Sequence, residues 1–139
     1  MGLASNLRGF HHLGLPVLDI EASKKWYSEY LGFELVYETR FREGTGETKV
    51  AFLNLNGFVI EMYESEDSLA AIKSRGHGHI DHIAFDVDDI EEVHKKLKMA
   101  GIKTIEANPK YLPIWPKGIR FLIVLGPNNE KIEFNQKIG

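Results

Sequence analysis

His82-Ile83-Ala84-Phe85-Asp86-Val87-Asp88-Asp89-Ile90-Glu91 occurs in this chain twice, the earlier copy reading His12-Leu13-Gly14-Leu15-Pro16-Val17-Leu18-Asp19-Ile20-Glu21. The offset is 70 (12 to 82), and five of the ten positions are identical: His, Val, Asp, Ile and Glu. Two later stretches also match. Val59-Ile60-Glu61-Met62 closes the first copy and Lys131-Ile132-Glu133-Phe134 the second, at an offset of 72 (61 to 133). Self-similarity at one long offset predicts two copies of a supersecondary unit. Each copy opens on a His and ends on a Glu.

Side-chain alternation in an extended chain sorts these residues onto faces. In the opening strands Leu13, Leu15 and Val17 match Ile83, Phe85 and Val87, an apolar face that wants a helix. The opposite face carries His12, Gly14 and Pro16 in one copy and His82, Ala84 and Asp86 in the other. The closing strands agree, since Ile60, Met62, Ile132 and Phe134 face the core and leave Glu61 and Glu133 on the other side. A sheet curved by its own twist brings these faces together inside a cup. Two imidazoles and two carboxylates are borderline N,O ligands suited to Zn, Ni, Co, Mn or Fe(II), with room for substrate oxygens.

The elements follow the repeat. Asp19 caps a helix through about Leu31, stopped by Gly32, and Asp89 caps one through Ala100, stopped by Gly101. In the second helix Ile90, Val93, Leu97 and Ala100 form the expected apolar stripe, with Asp89 and Glu92 as a capping-box-like pair. Glu34 to Arg42 reads as a strand with Leu35 and Tyr37 on one face. Lys49–Leu55 and Phe58–Tyr63 form a hairpin about Asn56-Gly57. A short helix is expected around Ser68–Lys73. Strands are expected at about Lys103–Ala107, Ile119–Leu125 and Lys131–Asn135, with a Pro-rich loop after the first of these. The predicted class is α+β: two βαβββ modules forming a curved mixed sheet cup with helices outside. The modules span about 8–63 and 79–136, joined by a linker at 64–78, within a single domain covering 8–139.

The composition excludes several partners. The 139 residues carry 17 Lys+Arg against 20 Asp+Glu, a formal charge of −3 with no basic tract, so neither nucleic acid nor an anionic membrane is expected. No apolar run is long enough to span a bilayer, and the polar start lacks a signal peptide's apolar segment. Met1-Gly2 is not a myristoylation start, because Asn6 stands where Ser or Thr is required. With no cysteine there is no disulfide, thiolate ligand or thiol nucleophile. This suits a reducing cytoplasm, the expected location.

Other polar residues are weighed against the four. His11 lies on the opposite face from His12, with Asp81 at its repeat position, and is read as structural. His77 and His79 belong to a Gly-flanked tract read as solvated. Arg40, Arg42 and Lys49 read as solvated strand faces from which one can reach the cup mouth. Tyr111, Trp115 and Lys117, in the Pro-rich loop, either line a substrate pocket or pack the dimer or the cup edge.

At these residues the chain resembles the vicinal oxygen chelate superfamily, which includes glyoxalase I, bleomycin- and fosfomycin-resistance proteins, methylmalonyl-CoA epimerase and extradiol dioxygenases. The likeness runs from Phe10 to Gln136 and rests on the paired His-x4-Val-x-Asp openings and apolar-Ile-Glu endings. It implies a homodimer of paired modules, a divalent metal ion held by His12, Glu61, His82 and Glu133, and a small-molecule substrate. The expected activity is a glyoxalase I-like lyase or isomerase acting on a small carbonyl or hydroxycarbonyl compound through an enediolate-like intermediate. Glu133 or Glu61 would be its base, Glu133 being favoured by the longer loop in its half. An extradiol-type dioxygenase and a non-catalytic binding or resistance protein are the alternatives. Pro16 and Ser65 depart from glutathione-dependent relatives, which commonly carry Arg and Asn at those places to hold glutathione.

Overall fold

Residues 4–6, 8–44, 46–76, 82–113 and 115–139 are described in a computed structural model of the chain. It divides into two compact units, Met1–Lys73 and Ser74–Gly139. The first contains strand β1 (Leu13–Pro16), helix α1 (Ile20–Leu31), β2 (Glu34–Glu43), β3 (Gly46–Leu55) and β4 (Phe58–Glu64). Helix α2 (Glu66–Arg75) follows and runs across the division. The second contains β5 (Ile83–Asp86), α3 (Ile90–Met99), β6 (Lys110–Leu112), β7 (Ile119–Leu125) and β8 (Lys131–Lys137).

Both units are βαβββ with one topology. The sheet orders are β1-β4-β3-β2 and β5-β8-β7-β6, the first neighbours parallel and the rest antiparallel. The register confirms the expected faces. Leu13 and Leu15 pair with Ile60 and Met62, and Ile83 and Phe85 with Ile132 and Phe134. Ile60, Met62, Leu53 and Ala51 are fully buried beneath α1, and in the second unit Ile132, Leu122 and Val124 are fully buried on the side of the sheet that α3 packs against. Each such aliphatic side chain contributes about 1.5–3 kcal/mol of burial, except the smaller Ala51.

The helices start alike. Asp19 accepts from the Ala22 N–H, and Asp89 from those of Glu91 and Glu92. The last strand of each unit then reaches over to the same helix end: Glu64 Oε1 accepts the Ile20 N–H at 2.8 Å, and Gln136 Oε1 the Ile90 N–H at 2.9 Å. Of the N–H groups a helix leaves without partners, two are thus satisfied at the start of α1 and three at the start of α3. The Asn56-Gly57 hairpin turns with φ of 50° and 91°, as a primed turn requires.

Three expectations are corrected. Leu35 and Tyr37 do not share a face, because Leu35 pairs with Leu53 while Tyr37 pairs with Phe52, so Val36 is an extra residue in a β-bulge. No continuous strand forms over 103–107; there is one bridge, Thr104 to Val124, and the paired strand is β6. Six steps along the chain from Thr104 to Lys110 oppose three from Val124 to Phe121, and Glu106 Oε2 takes the Ile123 N–H that a ladder carbonyl would otherwise accept. In α3 the buried positions are Ile90, His94 and Leu97, so His94 takes the slot expected of Val93, and Ala100 is exposed.

Candidate metal centre

Each unit brings its His and its Glu together. In the first, Gly14 pairs with Glu61 and Phe52 flanks it on the other side, so Glu61 shares a face with Gly14, Phe52 and Tyr37. His12, one residue before β1, reaches this face and sets Nε2 3.9 Å from Glu61 Oε1. Its ring meets Phe52 edge-on at 5.5 Å between centroids. In the second unit Ala84 and Ile123 flank Glu133, and His82 Nε2 lies 3.9 Å from Glu133 Oε1. The repeat seen in sequence is therefore a repeat in geometry.

A separation of 3.9 Å exceeds a hydrogen bond. It is less than the ~4.2 Å sum of one metal–nitrogen and one metal–oxygen bond, so a single ion can reach both groups of a pair. The donors also suit a borderline divalent ion. Among the described residues of each unit no third His, Asp or Glu joins the pair, so each unit offers two ligands.

The surroundings of the two pairs differ. His11 Nδ1 lies 2.7 Å from His12 Nδ1, one nitrogen donating and the other accepting. With His12 as donor, its Nε2 keeps a free lone pair for an ion, the arrangement typical of ligating histidines. In the second unit Asn135 Nδ2 donates to Glu133 Oε2 at 2.9 Å. Glu61 has no hydrogen bond among the described residues, and its side chain is 28% exposed against 13% for Glu133. Sequence reasoning missed both supports. Glu-x-Asn on one strand was a legible signal, since residues two apart share a face.

The remaining candidates fall as follows. Tyr111 pairs with Arg120, which pairs with Gln136, and its ring lies against Gly118; this is the face opposite Glu133. Trp115 lies under Lys137 Nζ, 4.0 Å from the ring centroid, and Lys137 alternates onto the Glu133 face. The Lys117 side chain covers Gly139. Arg40 and Lys49 pair with Glu47 and Glu64, and with Arg42 they lie on the helix-bearing side of the first sheet. So does a cleft of ≈ 340 Å³ that includes Lys24 and Glu38, turned away from Glu61. Ser65 is engaged in starting α2, exchanging hydrogen bonds with Ser68. His77 and His79 lie outside the described residues.

Residues 9–134 match the Glyoxalase/Bleomycin resistance protein/Dioxygenase superfamily. The chain belongs to that superfamily, and the two mixed four-stranded sheets with their helices are its fold. It is 33% identical over 127 residues to the uncharacterized protein YwbC of Bacillus subtilis, covering 91% of this chain and 95% of that one. It is 30% identical over 134 residues to YwkD of the same organism, covering 94% and 98%. Among solved structures it is similar to the fosfomycin resistance protein FosX of Listeria monocytogenes, with a TM-score of 0.69, 18% identity and 95% of each chain covered. FosX has been crystallised with Mn(II), and a glutamate-to-glutamine mutant of it with Mn(II) and 1S,2S-dihydroxypropylphosphonic acid.

Proposed function

We propose that the protein is a glyoxalase-like, metal-dependent lyase or isomerase of a small carbonyl or hydroxycarbonyl compound. The observation that carries this reading is the duplicated His–Glu pair, His12 with Glu61 and His82 with Glu133, at one separation on equivalent strands. Each pair stands on the sheet face away from its helix, and the two imidazoles and two carboxylates together would make an N2O2 ligand set. The Mn(II) held by FosX agrees in kind with such a donor set.

The bound ion, one of Zn, Ni, Co, Mn or Fe, would supply Lewis acidity toward vicinal substrate oxygens. The chain's own residues do the rest. One carboxylate takes the proton from the carbon next to the carbonyl, and the C–H electron pair becomes the C=C bond of an enediolate. The carbonyl π pair moves onto oxygen. The proton returns to the former carbonyl carbon on the C=C electron pair. The hydroxyl gives up its proton as its O–H pair forms the new C=O, and the alkoxide takes that proton up, an isomerisation with no net oxidation. We further propose a homodimer in a reducing cytoplasm. Metal analysis of chelator-free protein, then deuterium wash-in with a panel of α-hydroxycarbonyl compounds, tests the reading. Iron with oxygen uptake would instead mark a dioxygenase, and protein without metal a binding module.

A further inference from the structure

We infer that Asn135 is a positioning residue that makes the two carboxylates unequal: Glu133 is the fixed ligand and Glu61 the one that moves to take the proton. This rests on the metal-dependent reading above and specifies it. The roles expected from the sequence, which favoured Glu133 as base, are thereby exchanged.

Three observations carry it. First, Asn135 Nδ2 donates to Glu133 Oε2 at 2.9 Å. A carboxylate only accepts, so the amide orientation follows from the chemistry. With Oε2 occupied, Oε1 is left toward His82, and rotation of the carboxylate would break the hydrogen bond. Second, the position equivalent to Asn135 in the first unit is Tyr63 (135 less the 72-residue offset), and Glu61 receives no hydrogen bond there among the described residues. Third, Glu133 is the more enclosed carboxylate and Glu61 the more exposed. A base must leave its ligand position, meet a C–H bond and return. The carboxylate without a clamp meets that requirement. An amide donor to a ligating carboxylate fixes its orientation, which suits a ligand that stays in place.

The experiment titrates Co(II) into the full-length protein, following its visible absorption bands. Asn135→Leu should raise the Co(II) dissociation constant about 10- to 100-fold, the usual cost of losing a hydrogen bond to a ligand, and should change the band shape. Asn135→Ala is the second variant should the first melt abnormally. Tyr63→Leu should bind within about twofold of wild type, as expected of a residue outside the ligand shell. Glu133→Gln should weaken Co(II) binding more than Glu61→Gln, while Glu61→Gln should lose substrate α-proton exchange by at least about 10²-fold. Wild-type affinity and spectrum in both Asn135 variants would overturn the clamp alone. Equal losses in Asn135→Leu and Tyr63→Leu would overturn the asymmetry. Wild-type protein that takes up no Co(II) would remove the metal-dependent reading, and this inference with it.

Discussion

His12 Nε2 stands 3.9 Å from Glu61 Oε1, and neither group blocks the other's approach to a shared ion. His12→Ala and His82→Ala should each abolish tight divalent-metal binding while leaving a cooperative thermal melt, because both side chains lie off the helix-facing core. A full equivalent of metal at wild-type affinity in either variant would refute the ligand set. His11→Ala should fall between these and wild type, weakening metal about 10- to 100-fold through loss of the Nδ1 contact that orients His12.

Glutathione conjugates should be poor substrates. Pro16 has no side-chain donor, and Ser65 is engaged at the start of α2, so neither can hold a glutathione carboxylate. A missing charge-assisted contact of this kind costs about 1.5–3 kcal/mol. Steady-state kinetics with the methylglyoxal–glutathione hemithioacetal check this, and a kcat/KM of about 10⁷ M⁻¹s⁻¹ or above would contradict it.

Lys24 predicts an alkaline stability loss. Its Nζ donates to Glu38 at 2.6 Å and contacts Glu21 at 2.9 Å, and the Glu38 hydrogen bond raises its pKa above the ordinary 10.5 despite partial burial. The folded-state value is the higher one, so the contribution is complete below 10.5 and fades as pH rises through the folded value. Urea midpoints between neutral and strongly alkaline pH should show this step in wild type and lack it in Lys24→Met. With Glu38 half exposed, the step should be about 0.5–1 kcal/mol.

His94 is 5% exposed, and its Nε2 has no hydrogen-bond partner among the described residues. Replacing an unsatisfied buried polar group by an apolar one of similar size removes its desolvation cost. His94→Leu should raise unfolding stability by about 1 kcal/mol, read from denaturant midpoints at neutral pH. An equal loss would show that the packing of the imidazole outweighs the cost of its orphaned Nε2.

The parts legible in the sequence are those with strict period-two alternation and a second copy to compare. His12 opposite Leu13, and Glu61 between Ile60 and Met62, could be sorted from the order of residues alone. Places where one strand carries surplus residues were not legible. The three-residue excess before Lys110 and the extra Val36 leave hydrophobic composition unchanged while altering what each residue faces. His94 escaped because polarity argued against burial, although its spacing from Ile90 and Leu97 put it on the buried face. Asn135 was within reach of the alternation rule but was not connected to Glu133.

Val36 has a larger consequence than its own exposed side chain. Downstream of it Tyr37, Thr39 and Phe41 share the Glu61 face, and Glu38 lies beneath Lys24. Without that residue Leu35 and Tyr37 would be neighbours paired with the neighbours Leu53 and Phe52, a regular ladder in which both sets keep their faces. The bulge therefore holds one surplus residue outside the ladder while Tyr37, Thr39 and Phe41 stay on the Glu61 face. At this point of β2 the gene can lose three nucleotides, and the strand one residue, with no change in the panel of side chains that faces Glu61.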